Sequence, residues 1–250
     1  PKEGQELLLM KIAVVIPTYN EKENLPKITA QLMALPLDLH LLVIEDNSPD
    51  GTGQVADDLV KQYPGRMSVM HRTGKLGLGT AYVSGFTQML GTEVDAIAQM
   101  DADFSHPPEK LIEMAETLKT VDVASGSRYV KGGSLDEKWP FWRKLLSRFG
   151  NEYARTILGI SVRDATGGFR MWRREVLETI PLSEIRSNGY IFQVEMIYVA
   201  LKLGFKVKEI PIHFNERIYG QSKMNLSIQL EAALRVWQLI GRYRHLKKVG

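Results

Sequence analysis

From residue 12 onward the chain alternates short apolar runs with stretches of helical spacing, and this rhythm leaves few architectures open. Residues 12–16 are a β-branched run ending at Pro17. Residues 25–33 then have helical spacing, with Asn24 as a candidate cap and Pro26 in the first turn. A second apolar strand at 41–44 is followed by Asp50, Gly51 and Thr52, a turn leading into a helix at 55–63. Strands at 67–71, 94–100 and 121–126 and helices at 80–90 and 108–118 continue the pattern. Such alternation implies βαβ units and a mostly parallel sheet flanked by helices, an α/β class.

Past Arg128 the rhythm loosens. Gly132 and Gly133 mark a loop, aromatic and basic residues crowd 139–149, and a helix at 192–203, a strand at 206–214 and a helix at 226–240 follow. With neither repeat nor linker, residues 10–244 read as a single domain, 1–9 as a leader and 245–250 as a basic tail.

The 250 residues, 44 % hydrophobic and 24 % charged, suffice for a sizeable core and exclude a disordered chain. A formal charge of +3 is too small to call for a nucleic-acid partner. Cys 0 rules out disulfides, zinc–thiolate sites, iron–sulfur clusters and a cysteine nucleophile. Every apolar run stops well short of the roughly 20 residues needed to span a bilayer, so membrane contact is expected only at the surface.

In open α/β sheets, ligands bind beyond the carboxyl ends of strands. Polar clusters stand there: Pro17, Thr18, Tyr19, Asn20 and Glu21 after the first strand, Glu45, Asp46, Asn47 and Ser48 after the second, and Asp101, Ala102 and Asp103 after the strand at 94–100. Asp46 can accept from a base N–H and Tyr19 can pack on a base or ribose, although turn chemistry explains residues 47–51 equally well. Asp101 and Asp103, at i and i+2 on an extended segment, would point the same way and converge on a hard cation that also takes diphosphate oxygens. His106 is either a substrate contact or a hydrogen-bonding loop residue. Gly74, Gly77 and Gly79 match neither the dinucleotide nor the P-loop fingerprint and suit a loop and helix start near a nucleotide.

Taken in order, residues 15–21, 45–52, 77–82 and 100–103 resemble the family-2 glycosyltransferases of the GT-A fold. Residues 126–129 and 164–170, with Glu216, Arg217, Ser222 and Lys223, narrow the resemblance to the dolichol-phosphate (polyprenol-phosphate) mannosyltransferases, over nearly all of the chain from Met10 to Arg244. The resemblance implies a reaction: GDP-mannose and a polyprenyl (dolichyl) phosphate give polyprenyl phosphate β-mannose and GDP, with inversion and a Mg²⁺ or Mn²⁺ ion. Carried over, Pro17, Tyr19, Glu21, Ile44 and Asp46 would line the nucleoside site. Asp101, Ala102 and Asp103 would meet the donor, the two aspartates through the metal, and Arg217 and Lys223 would close over the diphosphate. Arg128, Arg143 and Ser147 would hold the acceptor phosphate. Asp103, Arg128, Arg217 and Lys223 are the residues expected to carry catalysis. Two positions depart from the family's pattern: Ser105 stands where relatives often carry Gln, and Glu45 where many carry Asp.

A phosphate monoester is already anionic near neutral pH and can attack the anomeric carbon without a strong base. Glu195, where many hydroxyl-accepting relatives carry a base, is therefore expected to orient the sugar or a basic side chain. Gln193 falls in the same region. Gly167, Gly168 and Arg170 either shape a sugar pocket or make a tight turn.

Trp142, Leu145, Leu146, Phe149 and Tyr153 share one helical face beside Arg143, Lys144 and Arg148. Leu226, Leu230, Leu234 and Trp237 share another, followed by Arg242, Arg244, Lys247 and Lys248. These amphipathic helices either pack on the sheet or lie in a lipid interface. The resemblance favours the second, at the cytosolic face of a membrane, with room for a separate anchoring subunit. Two other readings remain open: the same chemistry with UDP-glucose or another sugar nucleotide, and a catalytically silent nucleotide-binding or scaffolding subunit.

Overall fold

The computed structural model describes residues 10–215 and 226–249, with side chains of the last helix from Leu234 onward. A seven-stranded sheet runs in the order β3-β2-β1-β4-β7-β5-β8, built from β1 (Lys11–Thr18), β2 (Asp38–Glu45), β3 (Met67–His71), β4 (Ala96–Gln99), β5 (Val123–Ser127), β7 (Arg170–Arg173) and β8 (Val207–Pro211). A two-stranded ribbon pairs β6 (Ser134–Leu135) with β9 (His213–Phe214). Only β7 in the larger sheet is antiparallel to its neighbours, so its first residue, Arg170, lies at the edge where the other strands end, opposite Gln99 and Ser125.

Side chains alternate across the sheet as strand geometry requires. Ile12, Val14 and Ile16 enter one core with Leu25, Ile28 and Leu32 of α1 (Leu25–Met33), Ala56 and Leu59 of α2 (Thr52–Gln62) and Leu111 and Met114 of α4 (Lys110–Thr117). Ala13 and Val15 enter the other with Ala81, Tyr82 and Phe86 of α3 (Leu78–Leu90), Val176 and Leu177 of α6 (Arg174–Thr179), and α7 (Tyr190–Lys202). Ten residues of α7 are buried, and a helix apolar nearly all round belongs in an interior. The last helix, α8 (Leu226–Arg242), packs on α7 and on α5 (Phe141–Leu158).

The order of strands and helices over 12–126 follows the sequence reading, which had neither the strand Ser134–Leu135 nor the helix Arg174–Thr179 and differs further as follows. Asn24 does not cap α1; its side-chain amide instead donates to Glu21 at 2.7 Å. The strand expected over 206–214 breaks at Ile212, where the chain leaves the sheet for the ribbon. The strand at 94–100 stops at Gln99, so Asp101 and Asp103 lie in the bend beyond it and their placement does not come from strand alternation. Strand β7 had no sequence signal: its Arg170 is fully buried, which hydropathy patterns cannot anticipate.

Candidate active site

Three loops meet at the carboxyl edge of the sheet. After β1, Asn20 adopts a positive φ of 61°, and the backbone N–H groups of Asn20, Glu21 and Lys22 donate to the side chains of Ser48, Thr52 and Asp50. After β2, the buried Glu45 carboxylate accepts from the backbone N–H of Asn47 at 3.0 Å and Ser48 at 2.7 Å. Glu45 therefore fixes the turn, which suits its longer side chain, and the buried Asp46 pairs with Arg72. The Arg72 Nε lies 2.7 Å from one Asp46 oxygen and Nη2 donates to the other at 3.2 Å. Burial raises the Asp46 pKa, against the opposing pull of Arg72. Lys75 lies 4.0 Å over the Tyr19 ring. Tyr19, Asp46, Arg72 and Lys75 thus gather at one corner; Arg72 and Lys75 carried no recognisable signal in the sequence.

Ile44 is fully buried in the core, its methyl close to Gly85, and the half-buried Pro17 of β1 stands opposite it in register. The placement of the Ile44 side chain follows packing. Glu21 accepts from Asn24.

At the third loop, Ser105 donates through its hydroxyl and backbone N–H to Asp103 Oδ1, at 2.6 and 3.1 Å. The serine that replaces the expected Gln thus orients the carboxylate. Tyr82 donates to Asp101 at 3.3 Å, and burial together with the charges of Asp101 and Asp103 pushes its phenol well above the usual range. His106 is buried against Phe169 and accepts at Nδ1 from the Asp101 backbone N–H at 3.0 Å. It is the loop-fixing histidine of the two readings. Ala102 is buried between the aspartates. Among the described residues no three His, Asp or Glu side chains are grouped to hold a metal unaided.

Across the edge, Arg128 is buried against Asp164, donating through Nε at 2.7 Å and Nη2 at 2.6 Å, with a further Nη2 bond to Thr166 at 2.9 Å. Burial opposes both charges, but the pairing prevails, holding the Asp164 pKa down and the Arg128 pKa up. Nearby Arg170 is pushed down to about 10, first by burial and also by the like charge of Arg128.

Helix α5 reaches the surroundings of this pair twice. Tyr129 donates to the Ser147 hydroxyl at 2.7 Å. The Asn151 side chain donates to Thr166 Oγ1 at 3.0 Å and accepts from the Thr166 backbone N–H at 2.9 Å. Arg128 and Ser147 are therefore joined through Tyr129 and through Thr166–Asn151. Arg143, one turn before Ser147, lies over Trp139, its guanidinium carbon 3.7 Å from the ring centre. Arg217 and Lys223, with Glu216 and Ser222, lie outside the described residues.

Glu195 is fully buried and accepts from the Ser187 backbone N–H at 3.0 Å, Tyr243 Oη at 2.8 Å and Arg242 Nη1 at 2.8 Å. Arg242 is thus a basic side chain that Glu195 orients. Outside the pocket, Phe141, Trp142, Leu145 and Phe149 of α5 and Leu234 and Trp237 of α8 are exposed, Phe141 at 79 % and Phe149 at 65 %. Trp237 bonds to Tyr153 across the two helices at 2.8 Å. Among the described residues no helix is long and apolar enough to cross a membrane.

The sequence profile described as glycosyl transferase family 2 matches residues 13–181. A polyprenol monophosphomannose synthase of Mycolicibacterium smegmatis is 47 % identical over 232 residues, 92 % of this chain and 87 % of that protein. An undecaprenyl-phosphate mannosyltransferase of Micrococcus luteus is 42 % identical, over 95 % and 98 % of the two chains. Among solved structures, glucosyl-3-phosphoglycerate synthase from Mycobacterium tuberculosis in complex with Mn²⁺, UDP and phosphoglyceric acid superposes with a TM-score of 0.66 at 18 % identity, covering 99 % of this chain and 84 % of that one. That likeness concerns the fold, a GT-A-like α/β sheet. The chain belongs to glycosyl transferase family 2.

Proposed function

We propose that the protein transfers mannose from GDP-mannose to a polyprenyl phosphate, with inversion, while lying on the cytosolic face of a membrane. The observation that carries this reading is the position of Arg128. It is buried beside the Ser147 end of α5, whose outer face exposes Phe141, Trp142, Leu145 and Phe149. An anionic headgroup at a buried arginine and an apolar tail along an exposed aromatic face describe an amphiphilic phosphate. The names of the two bacterial mannosyltransferases agree with that acceptor.

The donor lies toward the other loops. Tyr19 and Asp46 offer a ring face and an acceptor to the nucleoside, beside Arg72 and Lys75. Asp101 and Asp103 are hard oxygen donors suited to Mg²⁺ or Mn²⁺. As the described residues offer no group of three such ligands, diphosphate oxygens and water would complete the shell. When bound, such an ion stabilises charge on the leaving diphosphate. Arg217 and Lys223 would add positive charge there.

On the acceptor side, Asp164 holds Arg128 by Nε and Nη2, leaving Nη1 without a hydrogen-bond partner among the described residues and able to donate to a phosphate oxygen. Tyr129 donates to Ser147, so the serine's own proton can turn to the same phosphate. These contacts position an anion against the repulsion of the donor diphosphate. Glu195 is committed to three donors in the interior, which agrees with an acceptor that needs no deprotonation.

The test is transfer of labelled mannose from GDP-mannose to a short polyprenyl phosphate with Mg²⁺ or Mn²⁺. Metal-dependent, lipid-extractable product lost in Asp103→Asn is expected. Product only from UDP-glucose or another sugar nucleotide would replace the donor. Nucleotide binding without transfer from any donor would favour a silent subunit.

A further inference from the structure

A buried relay behind the Asp101 loop dictates which atom of Gln193 faces the site. Trp172 Nε1 can only donate, and it lies 2.9 Å from Gln99, so the receiving atom is the Gln99 oxygen. Gln99 Nε2 then donates to the Gly168 carbonyl, which can only accept, at 3.0 Å, and to Gln193 at 2.7 Å. The Gln193 atom at that contact is therefore Oε1. Arg170 Nη1, again a donor only, stands 3.5 Å from the same oxygen and 2.6 Å from the Gln193 carbonyl.

This leaves Gln193 Nε2, an N–H donor with no hydrogen-bond partner among the described residues. A Cβ placed on Gly168 would sit 3.2 Å from it and 3.6 Å from His106 Cε1, so the amide nitrogen faces the gap between Gly168 and the loop that His106 ties to Asp101. The segment from Asp164 to Gly168 bonds Arg128 at one end and Gln99 at the other, where Gly168 also faces Gln193. In a direct displacement the transferred sugar must lie between the leaving diphosphate near Asp101 and the acceptor phosphate near Arg128. Gln193 Nε2 borders that interval. A neutral amide suits a hydroxyl oxygen better than a phosphate, for which this chain supplies arginine.

We propose that Gln193 Nε2 is a specificity-determining donor to one hydroxyl oxygen of the hexose on the sugar nucleotide, held in that orientation by Trp172 and Gln99. The proposal rests on the glycosyl-transfer reading above. Its test compares kcat/KM for GDP-mannose and for GDP-mannose analogues each lacking one sugar hydroxyl, in wild type, Gln193→Met and Gln193→Glu, with GDP affinity measured alongside. Gln193→Glu keeps an oxygen facing Gln99, lies beside Arg170 and replaces the amide donor with a carboxyl oxygen. It guards against a packing defect in the Met variant, and the GDP affinity reads any effect of the added charge.

Wild type is expected to lose about tenfold or more with one analogue. Both variants should lose a similar factor with GDP-mannose, lose little more with that same analogue, and bind GDP as wild type does. Losses that multiply for every analogue, or a parallel fall in GDP affinity, overturn the proposal. A wild type inactive with every sugar nucleotide would overturn the transfer reading and this proposal together, whereas an active wild type showing no such coupling overturns the proposal alone.

Discussion

Asp164 holds Arg128 by three contacts, two to the guanidinium and one to the backbone N–H at 2.9 Å, and the pair is buried at the point where the sheet edge meets α5. Its partners on either side, Thr166 and Tyr129, lead into that helix through Asn151 and Ser147. The arginine is thereby fixed before any anion arrives, which lowers the cost of ordering it on binding.

Replacing Asp164 with Asn keeps the size of the side chain and removes its charge. Breaking one side of a buried ion pair costs about 3–5 kcal/mol, and Asp164→Asn is expected to fall at the lower end because the amide oxygen still accepts one bond. Denaturant unfolding measures the loss. In the same variant KM for polyprenyl phosphate should rise while GDP affinity stays unchanged. Wild-type stability would show that the pairing contributes little.

Glu195→Gln addresses a second fully buried carboxylate. Its three donors come from the 187 loop, from the last residue of α8 and from Tyr243 just beyond it. The expected effect is a stability loss of about 1–3 kcal/mol with a single-turnover rate within about tenfold of wild type. A general base contributes roughly 10²–10⁴ in rate. A collapse of that size with donor and acceptor binding intact would return Glu195 to the chemistry.

Much of this arrangement was legible because it depends on spacing. The runs at 12–16, 41–44 and 94–100 are apolar, so the sheet and the polar loops at its carboxyl edge followed directly. What escaped depends on burial of charge and on tertiary hydrogen bonds. Arg170 gives no sign in sequence that Gln193 and Ala165 carbonyls will receive it, and so β7 was invisible. Arg72 pairs with Asp46 across 26 positions, and Gln193 with Gln99 across 94, distances over which no local pattern carries information. Ser105 could be noticed as a departure, but only the structure gives its bond to Asp103.

His71 should make stability mildly dependent on pH. Its Nε2 lies 2.9 Å from Asp57 and its Nδ1 3.5 Å from Glu45, and the bond to Asp57, ahead of the opposing effect of burial, raises its pKa. A raised folded-state pKa means that protonation favours the folded chain. The contribution is complete below the unfolded value near 6.5 and is lost as pH rises through the higher folded value. With the ring 47 % exposed, solvent screening keeps the effect below about 1 kcal/mol. Unfolding at pH 5.5 and 8 should differ less in His71→Gln than in wild type; an equal difference would assign the pH dependence elsewhere.

The exposed face of α5 is expected to bind lipid. A tryptophan and two phenylalanines at the surface, with Lys144 and Arg148 beside them, suit a helix lying at an anionic interface, where aromatic burial and cation attraction add. Trp142→Glu and Phe149→Glu should each weaken cosedimentation with vesicles containing phosphatidylglycerol, without changing the unfolding midpoint appreciably, because both side chains are already in water. Added salt should weaken the wild type as well, since the cationic part is screened over about 10 Å at 0.1 M. Because Ser147 sits on this helix, the two variants should also slow transfer to a long-chain polyprenyl phosphate in vesicles more than to a short, water-dispersed one. Equal slowing of both acceptors would place the fault in the pocket, and unchanged vesicle binding would remove α5 from the membrane contact.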